Sequence, residues 1–141
     1  MKKYKVGYTQ GVFDMFHVGH LNLLNNAKEQ CEYLIVGVNT DRLVKEYKNK
    51  DTIVSDYNRA RIVESIKSVD KVILTDTLNK EEILEEIKFD VIFIGNDWET
   101  NPRWLKTKSD MKKKGVDVVF LPYTKGISST ILREVLKNEK N

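Results

Sequence analysis

Short apolar runs alternate along the chain with longer segments in which apolar residues recur every three or four positions. Residues 4–10 (YKVGYTQ) read as a first strand, and residues 17–30 as a helix, with Leu21, Leu24, Ala27 and Cys31 at helical spacing. Residues 33–38 (YLIVGV) are apolar and β-branched, the signature of a buried strand. Residues 39–55 are polar and lysine-rich and read mostly as loop, and residues 59–67 as a helix carrying Ile62 and Ile66 on one side. A third strand follows at 71–74, then a helix at 79–87 with Asn79 as N-cap and Glu81 and Glu82 in its first turn. A fourth strand at 90–94 ends at Gly95, and the 103–114 helix ends in three lysines and Gly115. A fifth strand at 117–121 stops at Pro122, and Ser128 opens a last helix running to about Lys137. Five buried-type strands separated by helices predict βαβ units: a Rossmann-like open parallel α/β sheet with helices on both faces, formed by residues 1–141 as one domain. Such sheets bind ligands at the carboxyl ends of their strands.

Composition changes this picture only at the edges. A chain of 141 residues with 40% hydrophobic and 32% charged side chains has the balance of a soluble globular protein. One cysteine excludes an internal disulfide and a cysteine-based zinc site, and fits a reducing, cytoplasmic setting. The net charge of +3 allows an anionic ligand without arguing for nucleic acid. Neither a signal-type leader nor a membrane-length apolar run is expected.

Candidate chemistry collects at three strand ends. Between the first strand and first helix stands Gly11-Val12-Phe13-Asp14-Met15-Phe16-His17-Val18-Gly19-His20. A strand–helix junction offers free backbone N–H groups to an anion. His17 and His20, three apart, share a helix face and can donate hydrogen bonds to phosphate oxygens. No further Cys or His completes a zinc site, and the dinucleotide fingerprint is absent. After the fifth strand comes Tyr123-Thr124-Lys125-Gly126-Ile127-Ser128-Ser129-Thr130, with hydroxyls at a second helix start. After the fourth stands Gly95-Asn96-Asp97-Trp98, where a carboxylate can accept from the exocyclic amine of a base.

GVFDMFHVGH resembles the G-x-F-D-x-x-H-x-G-H signature of cytidylyltransferases in the His-x-Gly-His nucleotidyltransferase superfamily. The Tyr123–Thr130 stretch resembles the family's triphosphate-binding R-T-x-G-I-S-[ST]-T, with Tyr123 in place of the arginine, and Lys125 or Arg133 as possible substitutes. Gly95–Trp98 is similar to the G-[DN]-D-W segment of glycerol-phosphate cytidylyltransferases, in which the aspartate helps recognise cytosine.

That resemblance implies transfer of CMP from CTP to a small phosphorylated alcohol, best matched by glycerol 3-phosphate, with release of pyrophosphate. It implies that His17, His20, Lys48 and Lys50 are catalytic. Gly11, Val12, Phe13, Gly19, Asp97, Tyr123, Thr124, Gly126, Ile127, Ser128, Ser129 and Thr130 are expected to bind the nucleotide. Lys48, Arg59, Lys67 and Lys80 are expected at the acceptor. Mg²⁺ is expected to arrive with the triphosphate rather than in a protein cage, and the partner is a second copy in a homodimer. Phosphocholine, phosphoethanolamine or other polyol phosphates are alternative acceptors. An adenylyltransferase of the same superfamily and a non-catalytic nucleotide-binding module are the other readings. The 100–114 stretch, longer than in the glycerol-phosphate enzymes and carrying Arg103 and Trp104, is where acceptor specificity is expected to differ.

Overall fold

A computed structural model describes residues 2–122, 124 and 128–139. Five strands, β1 (Tyr4–Gly11), β2 (Cys31–Asn39), β3 (Lys71–Thr75), β4 (Val91–Gly95) and β5 (Asp117–Leu121), form one parallel sheet in the order β3-β2-β1-β4-β5. The six helices are α1 (Val18–Gln30), α2 (Asp41–Lys48), α3 (Asp56–Glu64), α4 (Lys80–Glu86), α5 (Pro102–Lys113) and α6 (Ser129–Glu139). Among the described residues a 3-10 turn occupies Asn96–Trp98.

The alternation within each strand builds a core on either face of the sheet. Leu34, Val36 and Val38 of β2 and Val91 and Phe93 of β4 pack with Leu24 and Ala27 of α1 and Val63 of α3. The intervening Ile35 and Ile92 point the other way, to Ile83 of α4 and Trp104 and Met111 of α5. β1 lies between β2 and β4, and successive crossovers leave it in opposite directions. The crevice of an open α/β sheet forms at such a switch point.

Residues 39–55 are not mostly loop. Thr40 caps α2 by accepting from Leu43 N at 3.2 Å, Asp41 favours the first turn, and Leu43 and Val44 are buried. Asn49, in the left-handed region at φ 52°, ends the helix. Of the lysines that made this stretch look like loop, Lys45 lies on α2's exposed side, and Lys48, at the end of α2, and Lys50, in the turn after it, reach the pocket at the strands' carboxyl ends. Smaller differences concern ends: α3 begins at Asp56 rather than 59 and stops at Glu64, because Ser55 already starts the turn. The expected caps at Asn79 and Gly115 are present: Asn79 accepts from Glu81 N and Glu82 N, and Gly115 sits at φ 78°.

Candidate active site

A pocket of about 420 Å³ opens at the carboxyl ends of β1, β2 and β4. It brings together residues from all three sequence constellations: Gly11, Val12, Phe13, His17, Gly19 and His20 from the first, Thr124 and Ser128–Thr130 from the second, and Asp97 and Trp98 from the third. Lys48, Lys50 and Lys80 line it as well. Tyr123, Gly126 and Ile127, and Lys125 beside them, lie outside the described residues.

The two histidines are held by their own helix. His17 is the N-cap of α1, and its Nδ1 accepts from Gly19 N at 3.0 Å. His20, three residues on, turns its Nδ1 back to accept from His17 N at 3.2 Å. The pair forms a reciprocal capping box, built from imidazoles instead of a hydroxyl and a carboxylate. The rings stack with centroids 3.9 Å apart. Because each Nδ1 is an acceptor, the proton of each neutral ring belongs on Nε2. Burial lowers the pKa of His17, and burial together with the neighbouring His17 brings that of His20 down to about 4, with Asp14 opposing. At neutral pH the site therefore offers two uncharged Nε2–H donors, locked in direction.

Among the described residues four buried side-chain polar atoms find no partner: His17 Nε2, Trp104 Nε1 and Arg133 Nε, on residues that line the pocket, and Asn96 Oδ1, between the lining residues Gly95 and Asp97. Buried polar atoms are normally paired, so orphans gathered at one cleft mark where a polar ligand binds.

Asp14 fixes the loop between β1 and α1. Phe13 and Met15 on either side of it adopt positive φ, 55° and 51°, a conformation that non-glycine residues hold only when their surroundings enforce it. Buried Asp14 accepts from Ile53 N at 2.7 Å, Val54 N at 2.9 Å and the Arg133 guanidinium, and its carbonyl accepts from Ser129 Oγ. One side chain thus joins the histidine loop, the segment after α2 and the start of α6. Ser128 caps α6 by accepting from Ile131 N at 3.1 Å.

Two expected acceptor residues sit elsewhere. Arg59 is fully buried and does not line the pocket. Its guanidinium donates to Val54 O, Val12 O and Asn39 O and pairs with Asp41 at 2.6 Å, so its role is to hold pocket backbone in place. Burial alone would raise the Asp41 carboxyl, but bonds from Arg59, Thr52 and Asp56 N outweigh it and hold the pKa low. Lys67 lies on a separate shallow groove with Leu21, Asn25, Lys28 and Ser68, away from the pocket.

No local motif in the sequence announces the polar floor. Tyr8 donates to Gln10 Oε1 at 2.8 Å, Gln10 Nε2 to Asn39 Oδ1 at 2.8 Å, and Asn39 Nδ2 to the Tyr47 hydroxyl at 3.0 Å. The chain crosses from β1 to β2 and α2, and Gly37 makes room for it: a Cβ there would lie 2.2 Å from the Tyr8 hydroxyl. Beyond this floor stands a second wall from α4, the 3-10 turn and α5. Lys80 Nζ is 5.3 Å from the Trp104 ring centroid, and the Arg103 guanidinium 5.8 Å from that of Trp98. Burial, then the charge of Arg103, brings the Lys80 ammonium down to about 8. Burial, then Lys50 and Arg133, lowers Lys48 on the opposite side.

A pocket of donors and cations built around neutral histidines at a helix start suits a polyphosphate and a second anion, and comparison with known proteins agrees. Residues 8–135 match the family model "Cytidylyltransferase-like". The chain is 38% identical over 128 residues to the glycerol-3-phosphate cytidylyltransferase of Bacillus subtilis, covering 89% of this chain and 92% of that one. It is 34% identical over 131 residues to the bifunctional protein HldE of Koribacter versatilis, where it covers 92% of this chain but spans only 26% of the relative. Among solved structures, a lipopolysaccharide core biosynthesis protein from Thermoplasma volcanium superposes with a TM-score of 0.71 at 25% identity, covering 88% of this chain and 99% of that one. Matched along nearly its whole length, and with the His-x-Gly-His loop at the floor of its pocket, the chain belongs to the cytidylyltransferase-like family of nucleotidyltransferases.

Proposed function

We propose that the protein transfers CMP from CTP to glycerol 3-phosphate, forming CDP-glycerol and pyrophosphate. The observation that carries this reading is the pair of fixed, neutral Nε2–H donors at the start of α1, facing a pocket whose other polar groups are mostly cations and N–H or O–H donors. An oxygen of the acceptor phosphate attacks the α-phosphorus in line. The bond from that phosphorus to the α–β bridging oxygen breaks, and the electron pair leaves with pyrophosphate. The attacking oxygen is already anionic, so no general base is needed. Catalysis then rests on positioning and on donors aimed where charge develops.

His17 and His20 serve the α- and β-phosphate oxygens, Lys48 and Lys50 add positive charge, and Ser128, Ser129 and Thr130 hold the distal phosphates. Asp97, on the rim beyond β4, accepts from the cytosine amine. Mg²⁺ would accompany the triphosphate and neutralise part of its charge. Among the described residues no group of three or more His, Cys, Asp or Glu side chains could hold a metal, and the ion is proposed to be held mainly by substrate oxygens and water. The protein is further proposed to be a cytoplasmic homodimer, testable by its elution in gel filtration.

Glycerol 3-phosphate is favoured over phosphocholine because Lys80 and Arg103 already sit beside the Trp104 and Trp98 rings, where a quaternary ammonium would bind. The test is pyrophosphate release with Mg²⁺ and a matrix of CTP or ATP against glycerol 3-phosphate, phosphocholine and phosphoethanolamine. Turnover is expected with CTP and glycerol 3-phosphate. Faster turnover with ATP would replace this reading by the adenylyl one.

A further inference from the structure

Four side chains from three helices meet on the α4–α5 side of the pocket, and every one of them is a donor. The Tyr47 hydroxyl, in the last turn of α2, accepts from Asn39 Nδ2 and so keeps its own proton for another partner. Lys80 Nζ gives one hydrogen bond, to Leu78 O at 3.1 Å, and has two protons left. Trp104 is 6% exposed, and its Nε1–H has no partner among the described residues. Arg103, exposed at the pocket mouth, lies close enough to influence both Tyr47 and Lys80.

Among the described residues no carboxylate forms an ion pair with Lys80 or Arg103. The pocket's own carboxylates do not serve them. Asp14 is engaged by Arg133, Ile53 N and Val54 N, and Asp97 forms no ion pair with either cation. The indoles of Trp98 and Trp104 hold the two cations in place without neutralising them. Two like charges kept together without a counter-ion, next to an unpaired buried N–H, form a seat for an anion.

Resting on the reading of the pocket as a cytidylyltransferase site, we infer that Arg103, together with Tyr47 and the Trp104 N–H, completes around Lys80 an all-donor seat for the acceptor, and that Arg103 restricts the acceptor to phosphorylated polyols bearing no positive charge. An acceptor phosphate dianion matches the two cations. A zwitterion such as phosphocholine brings its ammonium against the same two charges and is rejected by repulsion as well as by the loss of a binding surface. Arg103 acts on which acceptor is bound, not on the transfer step.

The experiment is steady-state kinetics of wild type, Arg103→Gln and Arg103→Lys with saturating CTP and either glycerol 3-phosphate or phosphocholine. Because Arg103 is exposed and packs on one ring only, the variants should fold, which matching melting curves would verify. In Arg103→Gln the KM for glycerol 3-phosphate should rise about 10-fold, as expected for one lost charge-assisted contact, with kcat and the KM for CTP within about 2-fold. The preference for glycerol 3-phosphate over phosphocholine should shrink about 10-fold, and Arg103→Lys should restore part of it. An unchanged KM for glycerol 3-phosphate, or an equal rise in the KM for CTP, would overturn the inference. If wild type turns over neither acceptor with CTP, the functional reading fails instead. The seat is then tested by calorimetric binding of glycerol 3-phosphate: weaker binding to Arg103→Gln than to wild type supports it, and equal binding overturns it.

Discussion

On the α1 side of the pocket the histidines are fixed by the backbone of their own helix before any ligand arrives; on the α4–α5 side the two cations pair with no carboxylate among the described residues. His17 and His20 spend their Nδ1 atoms on the backbone of their own helix, lose the tendency to charge, and keep a single donor each. Lys80 and Arg103 stay charged side by side, with aromatic faces for neighbours instead of carboxylates. The first arrangement suits a step in which geometry must not change as charge moves along the reaction coordinate. The second suits recognition, because it gains most when a counter-charge enters. On the proposed reading, the fixed neutral donors serve the chemistry and the unneutralised cations the selection.

The largest effect should come from loosening the histidine wall and the polar floor at once. Arg59 donates to Val12 O on the histidine loop and to Asn39 O on the polar floor. Arg59→Met leaves both carbonyls and Asp41 without their partner and should cost about 3 kcal/mol of stability, read from the urea midpoint. A loss below about 0.5 kcal/mol would show that the histidine loop and the floor do not depend on this residue.

Next in size is the histidine wall alone. His17→Ala and His20→Ala should each lower kcat about 10²-fold, equivalent to about 2.7 kcal/mol of barrier, and leave the KM for the acceptor nearly unchanged. Comparable kcat in both variants and wild type would remove the histidines from the transition state.

The smallest effect concerns the cation wall and is read through pH. Lys80 is charged below about 8, and the groups facing it are the Arg103 guanidinium and the Trp104 ring. Burial raises the pKa of Tyr47, which therefore stays protonated in this range. The KM for the acceptor should be flat from pH 7 to about 8 and then climb, by at most about 10-fold per unit, while kcat, governed by neutral histidines, stays level. For the empty protein the sign is opposite. A lowered ammonium pKa means that the unfolded chain holds more protons between about 8 and the ordinary lysine value of 10.5, so stability contributed by Lys80 rises with pH across that window. A KM that stays flat well above pH 8 would separate Lys80 from the acceptor.

The sheet was legible because burial on both faces leaves a signature of consecutive apolar residues. Leu34, Ile35 and Val36 all needed cover, and only strands between two helical layers provide it. Helix α2 was not legible, because its buried side rests on Leu43 and Val44 alone while lysines dominate the rest. Of the site, the three motifs were visible as local strings. Their partners were not. Asp14 meets Ile53 and Val54 about forty positions away in sequence, and Arg59 carries four contacts that only tertiary packing creates. The histidine capping box escaped notice for a chemical reason: capping signals are read from hydroxyl and carboxylate side chains, and an imidazole Nδ1 fills the same geometry without belonging to either class.

The contacts of Asp14 also set an order of assembly. Its carbonyl waits for Ser129 Oγ, 115 positions later, and its carboxylate for Arg133, 119 positions later. On the ribosome, α1 and its capping histidines can form early, since the capping bonds are local. The loop around Asp14, with Phe13 and Met15 in their costly left-handed conformation, lacks those two anchors until the start of α6 has been made. A nascent chain stopped before residue 128 would therefore hold all five strands and the two histidines, yet present an open, unpinned loop where the nucleotide is proposed to bind.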